Sequence, residues 1–563
     1  MADFSVNENN ESLFNRIFLN AWRPYAWIVG LGFLLYAQVL FFGFVYLDDN
    51  SIILDNYHSI RVLSNILQVF RQNILSDFGT FYRPIAVIPY IVEAQFGVAP
   101  FIYHFTNIAI HLLVSCLLFA FLTKLGYKKI MAFIFTLLFT VHPVLASVVA
   151  WIPGRVDSIL TVFVLLAFIA FLEYIRTKNR LYYLSHLLFF ALALFTKETA
   201  LVLILMFLLY YFLIFKDRRS FARELGFLVP GWLLISLCWY LPRKIVVAGS
   251  VPLKIPDMLR SMFDLPAVVL YVGKMLLPFN LSVLPILQDS SLIYGVVTLA
   301  VVLVLLILTK HRRYGHILFG AGWLVLFLLP SFVFSDPSRF IGVALYEHRI
   351  YLPLIGFIIL LMETDLIRNN IDIKKKGLLA GVLIIIVFSA MTFIHCRDFK
   401  NRLNFWESAV RTSPHHPLAH RNLGAMYYLE GNLVKAESEY RKALELNPYE
   451  PMVHNNLALI YMNKNKFKEA EQEFTKELAI NPFYDNAYFN YGLLCARQGR
   501  WTQAAALWKR TLEINPDHIE AYKYLAQYYY DQRDFKSAKH YVAELQKRGI
   551  QISPEILKVL NLR

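Results

Sequence analysis

The chain has 563 residues, 57% of them hydrophobic, with a mean hydropathy of +0.48 and a formal net charge of +15. Repeated runs of about 20 apolar residues exclude a soluble globular protein and define a polytopic membrane one. The basic residues gather at the ends of those runs, the pattern that orients spans, and no basic stripe is interleaved with aromatics, so nucleic acid is not an expected partner. The four cysteines (Cys116, Cys238, Cys396, Cys495) have neither disulfide-framework nor zinc-ligand spacing.

Residues 1–24 form a polar leader without a cleavable signal pattern, and Arg16 and Arg23 place it in the cytoplasm. The first span, 25–46, then delivers Leu47-Asp48-Asp49-Asn50 to the outer face. Paired carboxylates where a span ends raise a functional hypothesis, because ionisable groups at membrane depth are costly; the plainer reading is the start of a solvated loop. The outer loop, 47–104, is too long for a simple connection. Within it Ile60, Leu63, Ile66, Leu67 and Phe70 recur at helical spacing, which suits an amphipathic helix on the membrane or equally a packed core.

Further spans are expected at about 105–123, 130–150, 157–175, 182–196, 199–215, 224–242, 292–309, 316–334, 350–367 and 377–395, about eleven in all. Lys124/Lys128/Lys129, Arg176/Lys178/Arg180, Lys216/Arg218/Arg219, Lys310/Arg312/Arg313 and Lys374–Lys376 occupy loops that are cytoplasmic if the leader is. Ala267–Leu277 is apolar but short and contains Lys274, so it reads as an interfacial or re-entrant helix. An odd number of spans places the C-terminus outside.

From Arg397 the composition becomes that of a helical repeat. Pro414, Pro448, Pro482 and Pro516 lie 34 residues apart. Leu423, Gly424, Tyr427, Ala436, Tyr440 and Ala443 sit where tetratricopeptide repeats place their packing residues, and 457–482 and 525–538 repeat the pattern, with 492–516 following it more loosely. Trp406, Ala409 and Pro414 read as the second helix of a half-repeat. The expected domains are therefore the leader 1–24, a membrane domain 25–396 and a repeat domain 397–563. The fold class is all-α, a polytopic helical bundle followed by an α-solenoid whose groove takes a peptide or protein.

The charged groups assigned to the outer loops are Asp48-Asp49, Tyr82-Arg83, His104, His142, Arg155 and Asp157, Lys197-Glu198 and Glu347-His348-Arg349. All lie at span ends on one side, where they can converge on one cavity. A carboxylate there can deprotonate an acceptor hydroxyl, and cations can stabilise the charge growing on a phosphate leaving group. Simpler readings are a packed His104, an adjacent Lys197-Glu198 pair at a turn, and an Arg155–Asp157 pair. Adjacent carboxylates can hold a divalent cation, but no full ligand set is legible and no metal is expected. In the repeats, Asn422, Asn456 and Asn490 recur at one position, a ladder able to pair with the backbone of an extended peptide; asparagine is also simply common there.

The series Leu47-Asp48-Asp49-Asn50, Phe81-Tyr82-Arg83-Pro84, Tyr103-His104 with Asn107 and His111, His142-Pro143, Gly154-Arg155-Val156-Asp157, Lys197-Glu198 and Glu347-His348-Arg349-Ile350-Tyr351-Leu352-Pro353 resembles, in this order, the transmembrane-and-tetratricopeptide-repeat protein O-mannosyltransferases and their bacterial relatives, within the C-type membrane glycosyltransferase superfamily. The resemblance implies a polyprenyl-phosphate sugar as donor substrate and inverting transfer to a protein acceptor on the extracytoplasmic side. It places catalysis on Asp48 or Asp49, while charge and position make Arg83, His142, Arg155, Lys197, His348 and Arg349 the candidates for contacting the donor phosphate. Tyr82, His104, Asp157, Glu198 and Glu347 would support them, and Asn422, Asn456 and Asn490 would engage the acceptor. Relatives commonly follow His-Pro with a further His and a Glu, where this chain has Leu145 and Ser147, so mannose is not assumed. Transfer to a lipid-linked glycan and a non-catalytic scaffold are the competing readings. The expected location is a bacterial inner membrane, or an endoplasmic reticulum in a eukaryote, with the repeats outside.

Overall fold

The structure is a computed structural model that describes residues 15–72, 81–215, 218–247, 265–332, 345–368 and 375–551. Residues 1–14 of the expected leader, Lys216 and Lys374 lie outside that set. The described residues are mostly helical and contain no strand, and the chain divides into two compact units, 1–413 and 414–563.

The first unit is a bundle of apolar helices: α1 (Arg23–Tyr36), α2 (Pro84–Glu93), α3 (Pro100–Lys124), α4 (Lys129–Thr140), α5 (Ala146–Ala150), α6 (Arg155–Thr177), α7 (Arg180–Thr196), α8 (Val202–Tyr210), α9 (Arg218–Val246), α10 (Leu265–Leu276), α11 (Ile293–Leu308), α12 (Tyr314–Leu328), α13 (Pro353–Met362), α14 (Lys375–Cys396) and α15 (Arg402–Thr412). Among the described residues, six helical stretches are long and apolar enough to cross a membrane, or seven if α4 and the bent continuation Pro143–Ala150 form one span. Four further expected spans appear as α7, α11, α12 and α13, apolar helices of 10–17 residues, so six or seven of the eleven expected spans have the length and composition of a crossing among the described residues. Prolines open α2, α3 and α13 at their first turn, where a missing N–H costs nothing.

The core of this unit is aromatic. Phe121, Phe168, Phe207, Phe319 and Trp323 form a continuous cluster with neighbouring ring centroids 4.7–5.9 Å apart. Glycine allows the closest crossing: a Cβ on Gly273 of α10 would lie 2.5 Å from the Gly295 backbone N of α11. The stripe expected at 60–70 is broken into two single turns, Tyr57–Ile60 and Asn65–Gln68; Ile60 is buried whereas Leu63 and Leu67 are exposed.

The second unit pairs α16 (Pro417–Leu429) with α17 (Leu433–Leu446), α18 (Val453–Asn463) with α19 (Phe467–Ile480), α20 (Asp485–Arg497) with α21 (Trp501–Ile514), and α22 (Ile519–Asp531) with α23 (Phe535–Lys547). In each pair a small residue on the first helix faces a larger one sixteen residues on. A Cβ on Gly424 would lie 2.7 Å from the Tyr440 ring, and one on Gly492 would lie 2.4 Å from the Trp508 indole. Ala458 clusters with Phe474, and Ala526 with Val542. Within the second pair, the buried Glu477 of α19 accepts from the Met452 and Asn455 backbone N–H groups, satisfying the start of α18.

Candidate active site

The acidic loop leaves α1 through a short 3-10 turn and an extended stretch, Phe42–Val45. Tyr46 then takes φ +61°, a left-handed conformation costly for a bulky side chain, and this turns the chain so that Asp48 and Asp49 follow immediately. Asp49 is buried. Its Oδ2 accepts from the Val45 N–H at 2.6 Å, while its Oδ1 is buried without a hydrogen-bond partner. Asp48 is half-buried. Burial, reinforced by the neighbouring charge of Asp49, pushes its carboxyl up to about 6. Burial also raises Asp49, against the loop amides that favour its charged form.

Behind the loop, α2 and α6 contribute a buried ion pair. Arg155 Nη1 meets both Glu93 oxygens at 2.6 and 2.7 Å, Nη2 donates to Tyr103 O at 2.9 Å, and Nε to Ile152 O at 3.2 Å. Its guanidinium lies 4.6 Å from the Tyr90 ring centroid. Tyr90 is in turn within electrostatic reach of Asp48 and Asp49. Every nitrogen of Arg155 is engaged and the side chain is fully buried, so the structure gives it a different use from the phosphate contact expected of it. The alternative Arg155–Asp157 pair does not form either. Gly154 permits this geometry, since a Cβ there would lie 2.6 Å from Ser147 O.

A second group converges on His348. Arg83 makes a two-pronged pair with Glu198 (3.1 and 2.5 Å), and Lys197 Nζ pairs with Asp157 Oδ1 at 2.7 Å. The adjacent residues Lys197 and Glu198 thus serve different partners, because the α7 helix breaks at Lys197. His348 packs on Tyr346 and Trp151, with centroids 5.3 and 5.5 Å away, and Arg349 lies 5.4 Å from the Tyr346 ring. Burial pushes His348 down to about 3; Asp157 opposes this, and Lys197, Arg349 and Arg83 add to it. His348 is therefore a neutral imidazole and not the cation expected. Around His348, Arg83 is paired with Glu198 and Lys197 with Asp157, and Arg349 adds one further positive charge.

A third group surrounds Glu347. Its Oε1 accepts from Lys274 Nζ at 2.7 Å and from the Ser282 N–H at 2.9 Å, and its Oε2 lies 3.2 Å from His395 Nε2. Burial opposes its charge, but Lys274 and His395 hold its carboxyl below the usual range. The expected interfacial helix thus delivers Lys274 to the motif.

Three expected residues stand apart from any open surface. His142 is buried, with Nδ1 accepting from the Val144 N–H and Nε2 donating to Met275 O at 3.1 Å, so it fixes the bend before α5 instead of facing a phosphate. His104 is buried against the edge of Phe42. The Tyr82 hydroxyl donates to Phe70 O at 2.9 Å and closes the outer loop. Sequence reading missed Glu93, Tyr90, His395 and Asp398. Glu93 had a signal, as the lone carboxylate in the apolar stretch 84–94. Around the first two groups, Asp49 Oδ1, Asn50 Oδ1, the Tyr90 hydroxyl and the Trp151 N–H are buried without partners. Such groups at one end of the bundle suit a polar ligand.

In the repeats, Asn490 Nδ2 donates to Asn455 Oδ1 at 3.0 Å and Asn455 Nδ2 to Asn456 Oδ1 at 3.0 Å, while Asn422 Oδ1 accepts from Arg421. All three expected ladder residues are half-buried, with part of each amide engaged within the array.

Residues 91–242 match the family model described as dolichyl-phosphate-mannose-protein mannosyltransferase, and residues 417–450 and 455–519 match tetratricopeptide-repeat models. Similar curated proteins include the protein O-mannosyl-transferase F38B6.6 of Caenorhabditis elegans, 24% identical over 74% of this chain and 62% of its own length. The protein O-mannosyl-transferase TMTC1 of Homo sapiens is 24% identical over 65% of this chain and 48% of its own. TMTC3 of Mus musculus is 24% identical over 72% and 49%. The chain thus spans about half to six-tenths of the length of these relatives. Among solved structures, Pseudomonas aeruginosa PilF aligns at 22% identity with a TM-score of 0.26, over 28% of this chain and 74% of its own.

Proposed function

We propose that this chain, a relative of the proteins named protein O-mannosyl-transferases, is a membrane glycosyltransferase that moves a sugar from a polyprenyl-phosphate donor to a protein hydroxyl on the extracytoplasmic side. The observation that carries the reading is the pair Asp48-Asp49 within electrostatic reach of Tyr90, which Arg155 also reaches, while Asp157 on the same first turn of α6 pairs with the cation Lys197. Asp48 suits the base: it is the more exposed of the two, and a pKa near 6 leaves it ionised at neutral pH yet basic enough to take a proton. Asp49, bonded to Val45 N–H, suits the role of holding the loop. In the proposed step Asp48 takes the acceptor hydroxyl proton while that oxygen attacks the anomeric carbon. The bond from that carbon to the phosphate oxygen breaks with its electron pair leaving on phosphate, which inverts the anomeric centre. The cations stabilise the departing charge, with neutral His348 supplying a hydrogen bond. Glu93 and Arg155 hold the floor of the site from behind.

The test is transfer of radiolabelled sugar from polyprenyl-phosphate donors to extracytoplasmic protein, comparing wild type with Asp48→Asn and Asp49→Asn. Loss of at least 1000-fold in kcat for Asp48→Asn in a folded protein is expected, on the scale of removing an acid–base group. Label appearing only on lipid-linked glycan would replace the acceptor, and no transfer from any donor of a broad panel would remove the enzymatic reading.

A further inference from the structure

The segment that follows the last span touches both halves of the candidate site. Trp406 of α15 is fully buried, and its indole Nε1 donates to Val45 O at 3.1 Å. The same Val45 gives its N–H to Asp49 Oδ2. One peptide unit of separation therefore joins an indole far along the chain to a carboxylate of the acidic pair. Two residues earlier, the Gly43 N–H donates to Lys400 O at 2.9 Å, and the Arg402 guanidinium lies 5.5 Å from the ring centroid of the left-handed Tyr46.

The second contact is ionic. His395, at the end of α14, stands between Glu347 Oε2 at 3.2 Å and Asp398 Oδ2 at 2.9 Å. A ring between two carboxylates satisfies both only by donating from both nitrogens, which makes it an imidazolium. Asp398 is held in turn by Arg411 at 2.9 Å. At the end of α15, Thr412 Oγ1 lies 2.7 Å from Ser282 Oγ, and Ser413 Oγ donates to Leu284 O at 2.8 Å. Those contacts fix the stretch of backbone whose Ser282 N–H binds Glu347.

We infer that residues 395–413 are a positioning element of the active site, in which Trp406 sets the backbone of the acidic loop and His395 sets Glu347 beneath His348-Arg349. The inference rests on the function proposed above but reaches residues outside every motif that suggested it. Neither side chain meets substrate. Trp406 acts through Val45 on Asp49 and so on where Asp48 points; His395 acts through Glu347 on the phosphate-facing pair.

The test uses the full-length protein in detergent and has two readouts. The first is amide hydrogen exchange across residues 42–52 in wild type, Trp406→Phe, Trp406→His and a distant control, Trp508→Phe. Phenylalanine keeps the ring packing and removes the donor; histidine keeps an N–H. Trp406→Phe is expected to raise exchange in that stretch roughly tenfold, the scale of one lost hydrogen bond, with Trp406→His closer to wild type and the control unchanged. Unchanged exchange in Trp406→Phe overturns the inference whether or not the protein is active. The second readout is steady-state transfer. Trp406→Phe should lower kcat about tenfold with donor KM little altered, and His395→Gln should raise donor KM more than it lowers kcat. Equal losses in both parameters for both variants, following only the amount of folded protein, overturn it. A wild type that transfers no sugar removes the proposed function and leaves the exchange experiment to decide the positioning role.

Discussion

A carboxyl ionises least readily where water is scarce and another carboxylate stands beside it, and Asp48 meets both conditions. If Asp48 is the base, kcat/KM should rise with pH to a plateau with its midpoint near 6, and the rising limb should vanish in Asp48→Asn. The same shift bears on stability. A carboxyl whose folded pKa lies above its unfolded value contributes stability below about pH 4, and that contribution is lost as pH rises through 6. Asp48→Asn should therefore be inactive yet more stable than wild type at pH 7.5, by roughly 1–2 kcal/mol after solvent screening, as read by thermal unfolding in detergent. The Glu93–Arg155 pair behaves oppositely. Glu93→Gln strands a buried guanidinium and should cost about 3–5 kcal/mol; Arg155→Met added to it should recover part of that loss, because the uncompensated charge is gone.

At the scale of elements, the site depends on where helices stop. The α4–α5 break of 51° carries His142 inward, and Asn107 on α3 holds it by donating to Val149 O and Trp151 O, each at 3.2 Å. His104, Asn107 and His111 lie on one face of α3 because three- and four-residue steps return to the same side of a helix. At the far end of α5, Gly154 lets α6 start against Ser147 O and so brings Arg155 to Glu93. Gly154→Ala should force the backbone of that start apart from the Ser147–Val148 backbone, because a Cβ 2.6 Å from a backbone oxygen cannot be accommodated by a side-chain adjustment. The expected cost is about 1–3 kcal/mol, with a lowered unfolding temperature and lowered activity in the same variant.

At the scale of the whole molecule, the two units answer to different tests. If the repeats hold the acceptor, the variant carrying Asn422→Ala, Asn456→Ala and Asn490→Ala should raise KM for a protein acceptor about tenfold or more. Hydrolysis of the donor by water should stay unchanged, and equal loss of both would assign these amides to the packing of the array, where Asn490 already bonds Asn455. The all-α class, the 34-residue repeat, the small-against-large pairing of Gly424 with Tyr440, and the apolar runs were legible in the sequence. Each is a local periodicity, and local periodicity is what dictates which helical face is buried. The acidic pair and the Glu347-His348-Arg349 motif were legible as charges out of place. Their partners were not. Glu93 for Arg155, Lys274 and His395 for Glu347, Asp157 for Lys197, and Trp406 for the acidic loop are joined across as many as 361 residues. No spacing encodes such a contact. A buried charge or amide takes whichever partner the packing of the bundle brings within about 3 Å, so only the tertiary structure decided which carboxylate each cation meets and that Arg155 became part of the frame.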